Sequence, residues 1–225
     1  MASSSSGAAT AVQAVFIFMH GLGDSGDSWE GITWDFKDPE FRNLKWEFPN
    51  APIAPVSCNG GYRMPSWFDL LEIPITPASP HTSDKELLAA IHRVHAKVDK
   101  YKASGVPASS IFLGGFSQGG ALALASSLLY PETLGGAVVF SGWIPSQELQ
   151  ITEGGKKTPI LWCHGDADNV VEYANARVGC PRLQAAGVSC ELKTYPRMAH
   201  SSCPQEIADL KSWLKAQLTS QVTTV

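Results

Sequence analysis

Gly115-Phe116-Ser117-Gln118-Gly119 has the form G-x-S-x-G, a run that can present a serine as a nucleophile. With 20 glycines among 225 residues, the bare pattern is expected about 0.2 times by chance, so its setting decides its meaning. The apolar Ile111-Phe112-Leu113 precedes it, and a helical pattern from Gln118 to Leu129 follows, stopped by Pro131. That is the strand–turn–helix of a nucleophile elbow. So tight a turn leaves no room for side chains two residues before and after the serine, where Gly115 and Gly119 stand. Gly120 lets the helix lie close to the sheet, and the helix start favours developing negative charge.

A serine hydroxyl needs a positioned base to take its proton. Of the six histidines, His20 follows the first strand pattern, His81 lies in a loop, and His92 and His95 belong to a helix as surface or packing residues. His164 precedes the acidic candidates. His200 remains, on the turn after the last strand pattern, where the order Ser…Asp/Glu…His puts a base. The orienting acid must then lie between Ser117 and His200. Among the carboxylates in that interval, only Asp166, Asp168 and Glu172 come just after a strand pattern, and spacing leaves Asp166 and Asp168 nearly even. A fourth element is His20-Gly21-Leu22-Gly23-Asp24, a glycine-rich turn of the type that supplies an oxyanion donor. The backbone N–H groups of Leu22 and Gln118 are the two expected donors. Losing one such donor typically costs about 3–4 kcal/mol of transition-state stabilisation.

These residues need elements to hold them. Val15–Met19, Leu44–Phe48, Ile111–Leu113, Ala137–Phe140, Pro159–Cys163 and Val188–Tyr195 read as buried strands. Between them, Asn50–Pro80 is rich in proline and glycine and reads mostly as loop. Ser83-Asp84-Lys85-Glu86 has the form of a capping box, and Leu87, Leu88, Ile91, Val94, Val98 and Tyr101 then form one apolar stripe. Glu172–Ala186 reads as a helix that Gly179 and Pro181 should break or kink, and Gln205–Leu218 as the closing helix. Continuously apolar strands alternating with helices imply an α/β fold, a mostly parallel central sheet with helices on both faces. Residues just after the strands are then where chemistry belongs.

Composition excludes several other functions. The net charge of -4 gives no basic footprint for a nucleic acid. No apolar run reaches the roughly 18 residues of a membrane span. Cys58, Cys163, Cys180, Cys190 and Cys203 are odd in number and contain no CxxC, which argues against a disulfide framework or zinc site and for a reducing compartment, with the cytosol as default. Residues 1–12, rich in Ser and Ala, are expected to be a disordered tail, and 13–220 one domain. The chemistry calls for no cofactor and no metal.

Together the stretches His20–Asp24, Pro65-Ser66-Trp67-Phe68-Asp69, Gly114–Gly120, Ser141-Gly142-Trp143-Ile144-Pro145, His164–Asp168 and His200-Ser201-Ser202 resemble the acyl-protein thioesterase family, also described as the phospholipase/carboxylesterase family. The resemblance spans about Val15 to Leu218. It implies an α/β-hydrolase fold and removal of long acyl chains from protein cysteine thioesters, with some activity on lysophospholipids and small esters. A general carboxylesterase or lysophospholipase is the alternative. The resemblance selects Asp168, the second Asp of His-Gly-Asp-x-Asp, as the triad acid, and leaves Asp166 a turn-stabilising role. An apolar acyl site then follows. Leu70, Leu71, Ile73 and Ile75 on the long loop are expected to line it, with Trp143 and Val170 at its other wall. S-acylated proteins or acyl-ester lipids would be the partners, with transient membrane contact, in a monomer or weak homodimer. This sequence departs from the family where proline is usual: Asn169 and Glu172 stand there, so the acid loop is expected to be less rigid. The palmitoylated N-terminal cysteine of some members also has no counterpart, since Ala2 is at that place and Cys58 is the first cysteine.

Overall fold

Eight strands and five α-helices surround the chemistry in a computed structural model that describes residues 13–80 and 84–222. The proposed tail and Ser83 of the capping box lie outside these residues. In chain order the strands are β1 (Ala14–Met19), β2 (Leu44–Glu47), β3 (Ile53–Val56), β4 (Tyr62–Pro65), β5 (Ile111–Phe116), β6 (Gly136–Phe140), β7 (Ile160–Gly165) and β8 (Cys190–Tyr195). The helices are α1 (Asp84–Ala103), α2 (Gln118–Leu129), α3 (Glu153–Lys157), α4 (Ala174–Ala185) and α5 (Pro204–Val222). The six strands that make the main sheet run in the order β2-β1-β5-β6-β7-β8, and every neighbouring pair in it is parallel.

Parallel strands buried on both faces need apolar residues at every position, and β1 supplies them. Val15, Ile17 and Met19 pack toward α1 and α2, whose Leu87, Ile91, Val94 and Leu122 join the same cluster. Phe16 and Phe18 point the other way, into a layer with Phe112, Phe140 and the α5 residues Leu210 and Leu214. Farther along the sheet, Val139, Ile160 and Trp162 meet α4 through Ala176, Cys180 and Leu183. Thus α1, α2 and α4 cover one face, and α5 with the 3₁₀ segment Gly26–Asp35 covers the other. Each fully buried Phe or Leu contributes about 1.5–3 kcal/mol.

Two readings of the sequence change. The segment read mostly as loop contains an antiparallel hairpin, β3 with β4, in register Ile53–Pro65 to Val56–Tyr62. Helix α4 runs unbroken through Pro181. The proline deprives only the Arg177 carbonyl of its helical donor, and Arg177 is exposed, so water can replace the bond.

Candidate active site

Each chemically competent residue named above lies at the carboxyl end of a strand. His20 follows β1, Ser117 follows β5, Asp168 comes after β7, and His200 comes after β8. Ser117 sits at φ 54, ψ -120, a backbone state that costs a non-glycine residue on the order of 1–3 kcal/mol. Surrounding contacts hold it there. Its N–H donates to Phe140 O at 2.8 Å, and its carbonyl accepts the first α2 bond from Ala121 at 3.0 Å. A Cβ on Gly119 would lie 2.1 Å from Met19 O, and one on Gly115 would lie 2.4 Å from the Gly119 carbonyl carbon. The elbow is therefore closed to larger residues on both sides.

The Ser117 side chain meets His200. His200 Nε2 is 3.0 Å from Ser117 Oγ, and His200 Nδ1 is 2.7 Å from Asp168 Oδ2. A carboxylate only accepts, so Nδ1 carries the proton and Nε2 presents its lone pair to the hydroxyl. The Phe116 ring stacks at a tilt against the imidazole, 4.7 Å between centroids. The other Asp168 oxygen, Oδ1, accepts from the N–H groups of Val170 and Val171 at 2.9 and 3.0 Å. Burial pushes the Asp168 carboxyl up. Hydrogen bonding from His164 and His200, and from the Val170 backbone, outweighs it and holds the group well below the usual carboxylate range.

Asp166 faces elsewhere. Its Oδ1 accepts the N–H of Arg197 at 2.5 Å, in the turn that carries Arg197 at φ 62. Gly165 lets this turn close on the acid loop, since a Cβ there would meet Met198 O at 2.1 Å. The two loops are thus packed backbone to backbone, with Ala167 N–H donating to Met198 O at 3.2 Å. His164, set aside as the base because it precedes the acidic candidates, stands behind the acid. It is fully buried, its Nε2 donates to Val171 O at 2.8 Å, and the same nitrogen is 3.4 Å from Asp168 Oδ2.

The two expected oxyanion donors are tied together by side chains that sequence reasoning did not use. Gln118 is fully buried. Its Oε1 accepts the Trp67 N–H at 3.0 Å, while its Nε2 donates to Phe68 O at 2.6 Å and Ser66 Oγ at 3.1 Å. The Trp67 indole donates to His20 O at 2.8 Å, at the start of the other donor turn. His20 Nε2 accepts the Ala51 N–H at 3.0 Å, which leaves Nδ1 as the donor to Gly21 O at 2.7 Å. Gly23, at φ 76, closes the circuit by donating to Pro65 O at 2.8 Å. The Pro-Ser-Trp-Phe stretch is thus a bracket between the turn that holds Leu22 and the helix that starts at Gln118. The N–H of Gln118 belongs to the first helical turn, whose donors have no partner within the helix.

A cavity of about 200 Å³ opens beside Ser117 and His200 and is lined by Leu22, Leu70, Ile73, Ile75, Trp143, Val170 and Val171. Five of the six residues expected at the acyl site, Leu70, Ile73, Ile75, Trp143 and Val170, line this cavity; Leu71 does not. Leu71 is 45% exposed and lines an adjoining cavity of about 630 Å³, which shares Leu70, Ile75 and Trp143 with the first. Among the described residues, no group of three or more His, Cys, Asp or Glu is placed to hold a metal ion, and no helix is long and apolar enough to cross a membrane. One further carboxyl is unusual. Glu206, in the first turn of α5, is buried with both oxygens unpaired, and burial, then the charge of Asp209, pushes its pKa up to about 8.

Comparison with known proteins gives concordant relatives. A family model described as phospholipase/carboxylesterase matches residues 5–218. A protein of Oryza sativa subsp. japonica described as a probable carboxylesterase is 52% identical over 214 residues, 94% of this chain and 80% of the relative. Acyl-protein thioesterase 1 of Cryptococcus neoformans is 37% identical over 224 residues, covering 91% of this chain and 92% of its own. The crystal structure of Arabidopsis thaliana SOBER1 superposes with a TM-score of 0.88 at 45% identity, covering 91% of this chain and 99% of that one.

Proposed function

Because the chain belongs to the phospholipase/carboxylesterase family of hydrolases, we propose that it removes long-chain acyl groups from cysteine thioesters on proteins. The bonded series Asp168–His200–Ser117 carries this reading. Ser117 Oγ attacks the acyl carbonyl while His200 Nε2 takes its proton, and Asp168 holds the imidazole tautomer and stabilises the imidazolium. The N–H groups of Leu22 and Gln118 receive the oxyanion. The tetrahedral adduct collapses by breaking the carbon–sulfur bond. A thiol of pKa about 8.5 leaves readily as thiolate, so protonation of the leaving group is a small demand. The imidazolium gives its proton to the departing thiolate, and neutral His200 then deprotonates a water that attacks the acyl-serine; collapse of that second adduct frees the acid and returns the proton from His200 to Ser117 Oγ. One chain supplies every group, so a monomer suffices.

The acyl chain is assigned to the cavity formed by Leu70, Ile73, Trp143 and Val170. An apolar cavity of about 150 Å³ holds a benzene-sized group, so the catalytic cavity alone suits a short acyl chain. A palmitoyl-length chain needs the adjoining 630 Å³ space, and the shared walls Leu70, Ile75 and Trp143 support that route. Each methylene it buries contributes about 0.8 kcal/mol. Ile73, 44% exposed, and Leu71 stand at the rim and would touch lipid transiently while the acylated substrate is drawn off a membrane. All five cysteines are unpaired, as a reducing compartment such as the cytosol would leave them.

The smaller cavity and the relative described as a carboxylesterase favour a second reading, hydrolysis of short or small lipid esters. One set of assays separates them: kcat/KM on an S-palmitoyl peptide, a p-nitrophenyl ester series and lysophosphatidylcholine, with Ser117→Ala as control. The first reading predicts highest efficiency on the palmitoyl peptide. Preference for acetyl or butyryl esters moves the assignment to the second. Near-normal activity in Ser117→Ala, or no labelling of Ser117 by a fluorophosphonate, refutes both.

A further inference from the structure

The wall of the catalytic cavity and the support of its acid are built from the same two residues. Val170 and Val171 line the cavity, and their N–H groups hold Asp168 Oδ1. The other edge of this segment is bonded to the opposite wall. Ile75 donates its N–H to Val170 O at 2.8 Å and accepts the Glu172 N–H at 2.9 Å, making an isolated parallel bridge between Ile75 and Val171. Asn175, 8% exposed, spends its amide on the same point: Nδ2 donates to Ile75 O at 2.8 Å and Glu172 O at 2.9 Å. Proline, usual at position 172 in the family this sequence resembles, has no N–H and could not make the Glu172 bond.

We propose that the Ile75 bridge and Asn175 are positioning elements that join the acyl wall to the support of Asp168, so that an acyl chain filling the cavity holds the triad in its reactive geometry. The proposal rests on reading Ser117, His200 and Asp168 as the triad and this cavity as the acyl site. An acyl chain against Ile73, Ile75, Val170 and Val171 restrains the backbone whose N–H groups set Oδ1. That fixes the direction in which Oδ2 meets His200 Nδ1, and so the approach of Nε2 to Ser117. Binding energy from the remote chain then appears in kcat, because it is spent on orientation at the reacting centre. A misplacement of about 1 Å there can cost on the order of a hundredfold.

The test compares p-nitrophenyl esters from acetyl to decanoyl on the wild type, Glu172→Pro, Glu172→Gln and Asn175→Leu. Glu172→Pro deletes the N–H donor, and Val171 before it is in the bridge, an extended backbone that a following proline tolerates. Glu172→Gln keeps the N–H. Wild-type kcat should rise with chain length. Glu172→Pro and Asn175→Leu should keep kcat on the acetyl ester within about twofold and lose about tenfold on the decanoyl ester, with KM changing less. Glu172→Gln should follow the wild type. Equal losses at every chain length, or a wild-type kcat flat with chain length, overturns the proposal. A second measurement needs no variant: hydrogen exchange at the Val170 and Val171 amides with methyl or decyl fluorophosphonate bonded to Ser117. Slower exchange under the decyl group supports the coupling, and equal exchange refutes it. Absence of labelling at Ser117 instead refutes the triad on which the proposal stands, so the two failures are distinct.

Discussion

Replacing Gln118 with leucine leaves the backbone N–H at this position intact and removes only the bracket beneath it. The consequences can be counted bond by bond. Phe68 O keeps a donor, because Ser66 Oγ also donates to it at 2.8 Å. Ser66 Oγ loses a bond it only accepted. The Trp67 N–H alone is left without its partner, inside a buried stretch, which costs about 1–3 kcal/mol. Two further lost bonds contribute about 1 kcal/mol each, and the added apolar burial returns part of this. The net loss is about 2–4 kcal/mol, which in a chain of this size lowers Tm by roughly 5–15 °C. Urea or thermal unfolding of the variant measures it. In parallel, kcat should fall at least tenfold with KM little changed, since the separation of the two proposed oxyanion donors is no longer fixed, and a boronic acid that mimics the tetrahedral adduct should weaken in proportion. A Gln118→Leu protein within about 0.5 kcal/mol of wild type, with undiminished kcat, would refute the bracket.

Gly119→Ala places a Cβ 2.1 Å from Met19 O and 2.5 Å from His20 O; the backbone cannot give way that far, so the variant should fail to accumulate as folded protein or lose at least 3 kcal/mol in urea titration. Glu206 makes stability depend on pH. Its native pKa of about 8 lies above its unfolded value, so between about pH 4.5 and 8 the unfolded chain binds fewer protons, and stability falls as pH rises, by up to about 1.4 kcal/mol per unit. Glu206→Gln should therefore flatten the decline of Tm between pH 5 and 8.5, and an unchanged decline would place the titrating group elsewhere.

Periodicity and apolar runs made the sheet legible because parallel strands buried on both faces leave an unbroken signal, as in Val15–Met19. The elbow was legible because two steric demands, before and after Ser117, fall on residues that only glycine meets. The hairpin Ile53–Val56 with Tyr62–Pro65 was not, since Pro55 and Pro65 read as loop while a two-stranded edge tolerates them at unbonded positions. Glycine likewise hid the last half of β5, Gly114–Phe116. Spacing could not separate Asp166 from Asp168, because their side chains leave one loop toward two partners, the Arg197 N–H and His200, which are themselves distant in sequence. The acid loop's backbone is bonded to Ile75, a contact with no local signature in the sequence. The side chains of Gln118, His164 and Asn175 were missed for the same reason.

Ser117 and His200 are separated by 83 positions in the chain, and the acid and base loops meet only where β8 pairs with β7 at the edge of the sheet. During synthesis Ser117 is therefore in place long before His200, the base proposed for it, can reach it. On the proposed triad, a growing chain carries an inert hydroxyl, and hydrolysis begins only when its last strand docks. Recovery of turnover after refolding is thus a clock for that single closing event, and it should lag any signal that reports the central strands.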